Sequence, residues 1–311
     1  MTTILVATWA DGVFVIRGDA HARELAGQCV RWLAADGRGG ALAIVDQHTL
    51  RRRTGDGVWR TLAEGDVALS CCAAVGDAIH VGTDDARVLR LAANGALEPL
   101  RGFDIVAGRE QWYAGQAVVD GRVVGPPLGV RSITATADGA TLLANVHVGG
   151  IPRSTDGGAT WHPTIAVESD VHEVRGHPRR PALVAAAAAV GLCISRDGGA
   201  TWVVESAGLH APHASAVAFV GDDVLLAASE DPFSPQGAVY RRPIDADGPL
   251  SPCAGLPRWL DGGVDTGCIA VNGAAIAVAS RAGSVYVSTD AGVRWDRRVE
   301  GLASPCGVLI T

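Results

Sequence analysis

The chain has 311 residues, a formal net charge of −7 and a pI of about 5.7, with 48% hydrophobic and 19% charged residues. This acidic balance offers no basic face for neutralising phosphates, so we expect no nucleic-acid partner. All 26 basic residues are Arg, and the absence of Lys excludes Schiff-base enzymes, pyridoxal-phosphate enzymes and Walker-type nucleotide sites.

In chain order, short apolar stretches separated by Gly-containing turns predict strands in groups of four, with no long helical periodicity between them. The predicted groups are 30–35, 42–45, 50–53 and 59–62; 70–75, 78–82, 88–91 and 97–100; 130–136, 142–146, 151–154 and 160–163; 171–175, 183–188, 192–195 and 201–205; 215–220, 224–228, 238–241 and 250–253; and 268–271, 275–279, 284–288 and 294–297.

The two ends of the chain complete one further group. Residues 306–311 have the pattern of a first strand with no partners after it, and 4–7 and 13–17 have the pattern of second and third strands with none before them. Pairing the ends closes a ring and leaves no free sheet edge.

The seven Cys are scattered, without a Cys-x-x-Cys pair, which disfavours a zinc finger or a disulfide framework. The N-terminal segment lacks a basic region and a cleavage site, and the longest apolar stretch, 182–193, is too short to span a bilayer. We therefore expect a cytoplasmic, monomeric protein with reduced thiols and no membrane partner.

A turn motif, Ser-x-Asp-x-Gly-x-x-Trp, occurs at 154–161, 195–202 and 288–295, with a degenerate copy at 54–59. The Asp accepts hydrogen bonds from backbone N–H groups, the Gly supplies a positive φ, and the Trp is expected to begin the next strand. Asp156, Asp197 and Asp290 therefore receive a structural role and no catalytic one.

This motif resembles the Asp-box, or BNR repeat, of sialidases and many other β-propellers. The resemblance implies an all-β fold, a seven-bladed β-propeller of four-stranded antiparallel blades, formed by residues 1–311 as a single domain. The spacing agrees: 311 residues divided by seven is about 44, within the 40–45 residues typical of a blade. In the resembled proteins the Asp-box turn lies on the side away from the active site.

In a propeller, the links that enter each inner strand and those that join the second strand to the third gather at one face. We expect seven polar side chains there: Arg131, His147, Asp170, His172, His210, His213 and Asp265. His147, His172 and His213 are candidate ligands of a divalent transition metal. Asp170, His172 and Asp265 are candidate catalytic residues, and Arg131 and His210 candidate ligand-binding residues. Alternatively, the Asp residues cap turns and the His residues line a water-filled channel.

One link, residues 104–130, is much longer than the others. It contains a predicted hairpin at 117–124, whose Asp-Gly centre is a strong turn signal, and we expect it to form a lid over the polar face. Glu110, Trp112 and Tyr113 are therefore candidate ligand contacts, although the two aromatics alternatively only anchor the hairpin. A second irregular link, 230–236, is expected nearby.

Two functions remain open. The first is binding of a small molecule or a divalent metal at the channel, with or without catalysis; the second is a protein-interaction scaffold, as in the resembled photosystem assembly and stability factor. Glycoside hydrolysis is disfavoured, because the chain lacks the arginine triad and the Arg-Ile-Pro motif of sialidases and shows no evident carboxylate pair.

Overall fold

Seven four-stranded antiparallel sheets form a ring in the computed structural model, which describes residues 2–115, 117–119, 122–124 and 127–311. In each sheet we call the strand nearest the channel the inner strand, and the others the second, third and outer strands. Blades 1 to 4, in that strand order, are Pro305–Ile310, Ile4–Thr8, Gly12–Arg17 and Ala20–Glu24; Val30–Ala35, Ala41–Val45, Thr49–Arg53 and Trp59–Glu64; Leu69–Val75, Ala78–Thr83, Val88–Leu91 and Leu97–Pro99; and Val130–Ala135, Leu142–Val146, Pro152–Ser154 and His162–Pro163.

Blades 5 to 7 have the same order. Their strands are Val171–Gly176, Val184–Ala188, Gly191–Ser195 and Val203–Glu205; His213–Val220, Asp223–Ser229, Ala238–Pro243 and Ser251–Pro252; and Ile269–Asn272, Ala275–Ala279, Val285–Ser288 and Asp296–Val299. The 3-10 helices are Arg101–Ile105, Arg109–Gln111 and Val167–Ser169, and strands Ala117–Val119 and Arg122–Val124 pair as the predicted hairpin. No helix in these described ranges is long and apolar enough to cross a membrane.

Ring closure is confirmed. Ile4 pairs with Ile310 and Val6 with Val308, so the C-terminal strand supplies the inner strand of blade 1. The blades stack face to face, which buries both faces of the second strands: every residue of Ala41–Val45 and of Val184–Ala188 is buried. These strands therefore read as continuous apolar runs rich in Ala, whereas an outer strand such as Ala20–Glu24 is mostly exposed.

The Asp-box turns lie between the third and outer strands, as predicted. In the first, Thr160 N–H donates to Asp156 Oδ1 (2.9 Å) and Gly158 N–H donates to Ser154 Oγ (2.9 Å). One expectation is corrected: the motif Trp ends the turn, and the outer strand begins one residue later. The Trp161 indole N–H donates back to Gly158 O (3.0 Å), which keeps this residue in the turn.

A buried glutamate links neighbouring blades through hydrogen bonds. Glu173, fully buried, accepts hydrogen bonds from Arg175 Nε (2.8 Å), from Val217 N–H of blade 6 (2.9 Å) and from Gly267 N–H before blade 7 (3.2 Å). This carboxylate therefore joins blade 5 to blade 6 and to the link that enters blade 7. The polar cluster described next lies at the mouth of the channel where the links enter the inner strands.

Candidate functional site

A pocket of about 720 Å³ opens at the channel mouth where the links enter the inner strands. The blade topology predicted seven polar residues on this face. Six of them line the pocket: Arg131, His147, Asp170, His172, His213 and Asp265. The pocket size falls within the range of small-molecule sites.

A repeated β-bulge aims side chains into this pocket. The pairing of inner and second strands slips by one residue near the start of six inner strands, which leaves one residue of each inner strand without an opposite partner. A bulge bends its strand and redirects a side chain. All six bulged residues line the pocket: Arg31, Ser70, Arg131, His172, Ser215 and Cys306.

His147 is presented by a tight turn between the second and third strands of blade 4. Its N–H donates to Gly129 O (2.9 Å), and the next residue, Val148, has a φ of 44°, a strained value for a β-branched residue. Gly115 N–H donates to His147 Nδ1 (3.3 Å), and a Cβ at Gly115 would lie 2.3 Å from the imidazole Cε1. The link before blade 4 therefore closes directly on this ring.

Asp170 lies between two imidazole rings. His147 Nε2 is 3.7 Å from Asp170 Oδ1, and His172 Nε2 is 3.6 Å from Oδ2. His172 Nδ1–H donates to Ala214 O (2.6 Å), which leaves Nε2 facing the carboxylate. Asp170 Oδ1 is buried and has no hydrogen-bond partner among the residues that the structure describes. One ligand atom from each of the three residues lies within 4.8 Å of the others.

The electrostatics of the cluster favour neutral imidazoles at His147 and His213 and an ionised carboxylate at Asp170. Burial and the charge of Arg131 lower the pKa of His147 to about 4, and burial and the neighbouring His172 lower the pKa of His213 to about 4. Burial acts to raise the pKa of Asp170, but the hydrogen bond from the facing His172 and the nearby His147 and Arg131 outweigh burial, and the net shift is downward. Neutral imidazole nitrogen and carboxylate oxygen are both metal ligands.

His213 lies beside this cluster. Its ring centroid is 4.6 Å from that of His172, so His213 flanks the grouping of His147, Asp170 and His172. Asp265 is held differently: Arg281 donates to Oδ1 from Nη2 (2.6 Å) and to Oδ2 from Nε (3.2 Å). Both oxygens of Asp265 are therefore engaged in an ion pair at the pocket wall.

Four predicted ligand contacts lie elsewhere. His210 is not among the pocket-lining residues, and its Nδ1 lies 2.7 Å from the Tyr240 hydroxyl. Trp112 is buried against Phe103 in the hydrophobic core, whereas Glu110 and Tyr113 are exposed and do not line the pocket. The other expected irregular link does reach the pocket, through Pro232 and Phe233.

Sequence reasoning missed several pocket residues. Arg31 makes a bidentate ion pair with Asp84 (2.6 and 2.7 Å), and Trp9 lies over the Arg31 guanidinium. Thr266, another lining residue, accepts a hydrogen bond from Arg131. The bulged position offered a signal: Arg31 stands at the second residue of its inner strand, as Arg131 and His172 do.

The comparisons with known proteins agree with the fold. The family model described as the BNR/Asp-box repeat matches residues 153–163. No curated protein sequence matches the chain.

Among solved structures, a chain of a nidogen/laminin complex is similar over 100% of this chain and 98% of its own length, with 12% identity and a TM-score of 0.55. A structure described as YCF48 bound to D1 peptide is similar over 89% of this chain and 93% of its own length, with 11% identity and a TM-score of 0.58. At these identities the likeness concerns the fold.

Proposed function

Because the chain is a seven-bladed β-propeller with Asp-box repeats, whose links gather polar residues at one channel mouth, we propose that it binds a divalent transition metal through His147, Asp170 and His172. The observation that carries this proposal is the convergence of three ligand atoms within 4.8 Å at the pocket. Two ligands at about 2.1 Å from a tetrahedral zinc ion stand about 3.4 Å apart. The distances from Asp170 Oδ1 to His147 Nε2 (3.7 Å) and from Asp170 Oδ2 to His172 Nε2 (3.6 Å) are close to that separation.

The residues present fit such an ion unequally. His172 is oriented for metal binding, because its Nδ1–H donates to Ala214 O and leaves Nε2 available. Asp170 is also available, because its Oδ1 has no hydrogen-bond partner among the described residues. His147 accepts from Gly115 at Nδ1, so its neutral ring carries the proton on Nε2. Metal binding through Nε2 therefore requires the other tautomer and the loss of this long hydrogen bond.

Three protein ligands beside an open pocket are typical of a metal that also binds a ligand or water. A bound zinc ion supplies Lewis acidity at such an open position. The protein's own residues then shape the rest of the pocket: Asp265 and Arg281 form an ion pair in its lining, and Arg131, bonded to Thr266, is a further lining residue. The proposed function is accordingly metal-dependent binding of a small molecule at the channel mouth.

The test is elemental analysis of the purified protein, before and after incubation with zinc and removal of excess metal. We expect one zinc per chain in the wild type, and none in the double variant H147A/H172A. The variant H21A/H162A, which removes two exposed histidines, is the matched control and should keep the metal. Unchanged metal content in H147A/H172A, or no stoichiometric zinc in the wild type, would refute the proposal.

A second candidate function, protein or peptide binding, is favoured by the exposed aromatic side chains. Trp9, Tyr113, Phe233 and Trp259 are exposed, and all four belong to links on the pocket face. Aromatic anchors of this kind dominate protein interfaces. The similar structures named above include a nidogen/laminin complex and a peptide complex.

Selection from a random peptide display library tests this candidate. Peptides enriched on the wild type should not be enriched on W9S/F233S, whereas a V203S variant on an exposed outer strand should select the same peptides as the wild type. Equal enrichment on all three proteins would argue against the aromatic face as a binding surface.

A further inference from the structure

Arg131 is the pocket arginine whose charge is not matched by a carboxylate in the described part of the chain. Its Nη2 donates to Thr266 Oγ1 (2.8 Å), and Thr266 is itself fixed by contacts of its hydroxyl with His172 O and Ser215 O (3.2 Å each). A guanidinium carries five N–H donors in a planar fork. A single neutral hydroxyl leaves most of them free to bind a further acceptor.

The two other pocket arginines show the contrast. Arg31 is paired with Asp84 at 2.6 Å and Arg281 with Asp265 at 2.6 Å, each through two nitrogens. For Arg131, no ion pair within 4.0 Å is found among the residues that the structure describes. Arg131 is nevertheless held in place, because its backbone forms the bulge of an inner strand and its tip is anchored by Thr266.

The charge balance of the pocket depends on the metal. Its described lining contains three Arg and three Asp, whose formal charges cancel: Arg31, Arg131 and Arg281 with Asp84, Asp170 and Asp265. A divalent ion at His147, Asp170 and His172 would leave two unbalanced positive charges in a partly enclosed space. Opposite charge in a ligand is then favoured, and more strongly than in bulk water.

The pocket also has an apolar side. Trp9 and Phe233 line it from two different links and are 45% and 63% exposed, so their rings are accessible to a ligand. A volume of about 720 Å³ exceeds what an inorganic anion needs and suits a small organic molecule.

We infer that the ligand of this pocket is a small organic carboxylate, whose carboxylate is bound by Arg131 and whose apolar body packs on Trp9 and Phe233. Arginine binds carboxylates through paired N–H···O bonds, which add orientation as well as energy. The inference rests on the proposed metal site for its full strength, since the metal supplies the unbalanced charge. By thermodynamic linkage, the metal should tighten carboxylate binding and the carboxylate should tighten metal binding by the same factor.

Isothermal titration calorimetry tests the inference with a panel of aryl and alkyl carboxylates of two to ten carbons, 4-phenylbutyrate among them. Each acid is paired with its neutral amide, and each is measured on metal-free and on zinc-loaded protein. We expect at least one acid to bind the zinc-loaded wild type more tightly than its amide. The variant R131Q should weaken the binding of that acid by about tenfold to a hundredfold, the usual range for loss of a charged hydrogen bond. The affinity for the amide should not change.

The matched control is R90Q, which removes an exposed arginine far from the pocket and should bind as the wild type does. Unchanged zinc stoichiometry and thermal midpoint in R131Q would show that the variant is folded. The carboxylate could belong to a small free acid or to the C-terminus of a peptide chain. A peptide ending in Phe, measured with a free and with an amidated C-terminus, distinguishes these two sources. Binding of the free-terminus peptide that depends on Arg131 supports the same site.

The outcomes separate the two proposals. If zinc binds but no acid exceeds its amide, or R131Q binds the acid as well as the wild type, the carboxylate inference is overturned and the metal site stands. If zinc does not bind but an acid still binds through Arg131, the metal proposal fails and the carboxylate site is supported in its metal-free form.

Discussion

Replacing Glu173 with Gln should destabilise the whole ring, because this buried carboxylate joins blades 5, 6 and 7. Its Oε1 accepts from Arg175 and from Gly267 N–H, and its Oε2 accepts from Val217 N–H (2.9 Å). A Gln side chain has the same shape but presents an NH2 group to one of these donors. With the amide oxygen kept toward Arg175 and Gly267 N–H, the variant leaves Val217 N–H unsatisfied in a fully buried position, and it removes the negative charge opposite Arg175.

The expected loss follows from these contacts. Breaking a buried ion pair costs about 3–5 kcal/mol, but the Arg175 side chain is 32% exposed and keeps part of its hydration. We therefore expect a loss of about 3 kcal/mol in the free energy of unfolding. With an m-value of about 3 kcal/mol per molar urea, the unfolding midpoint should fall by about 1 M.

The assay is urea unfolding followed by tryptophan fluorescence and circular dichroism, with the m-value compared between proteins. E168Q is the matched control: Glu168 is exposed on a link of the same blade, and its replacement should leave the midpoint unchanged. A midpoint of E173Q equal to that of the wild type would refute the assignment of Glu173 as the polar centre of the ring.

Three further results are expected. Although burial acts to raise it, the pKa of Asp197 is lowered to about 2 by hydrogen bonds from Thr201 and Ser195, so the stability that the carboxylate adds is present above pH 4 and lost as the pH falls through about 2. The midpoint gap between wild type and D197N should therefore close near pH 2; a constant gap would contradict this. Burial raises the pKa of the buried thiols, so an aromatic disulfide reagent at pH 8 should label at most Cys29, the half-buried one, in the folded protein and all seven Cys in urea. H210A should retain its zinc in elemental analysis, because His210 bonds Tyr240 outside the pocket; loss of zinc from a folded H210A would show that the metal lies elsewhere.

The sequence was sufficient to predict the ring. The Asp-box copies at 154–161, 195–202 and 288–295 set the blade period, and the unpaired strands at the two ends identified the closure. The predicted strand ends agree with the structure within two residues. These features are local turn chemistry and alternation of apolar residues, which a sequence displays directly.

The direction in which individual side chains point was harder to predict. Along an unbroken strand, neighbouring residues face opposite sides, and a one-residue slip reverses them. His172 and Glu173 show the effect: the bulge sends His172 into the pocket, while Glu173 is fully buried and bonds Val217 N–H of blade 6. The place of Arg31 in its inner strand could have indicated a pocket residue, but its pairing with Asp84, 53 positions apart, had no sequence signal of its own.

The long link illustrates a different limit. Its hairpin was predicted from an Asp-Gly pair, but whether Trp112 would face a ligand or the core depended on contacts with Phe103, which no periodicity encodes. Gly115 is more informative in the structure than in the sequence, because its lack of a side chain is what allows the link to approach His147.

The most direct test of the metal site is an anomalous difference map from crystals of the zinc-loaded protein, recorded on both sides of the zinc absorption edge. The account predicts one strong peak per chain at about 2.0–2.2 Å from His147 Nε2, His172 Nε2 and an Asp170 carboxylate oxygen. A peak bound by other residues, or no peak at this pocket in crystals soaked with excess zinc, would contradict it.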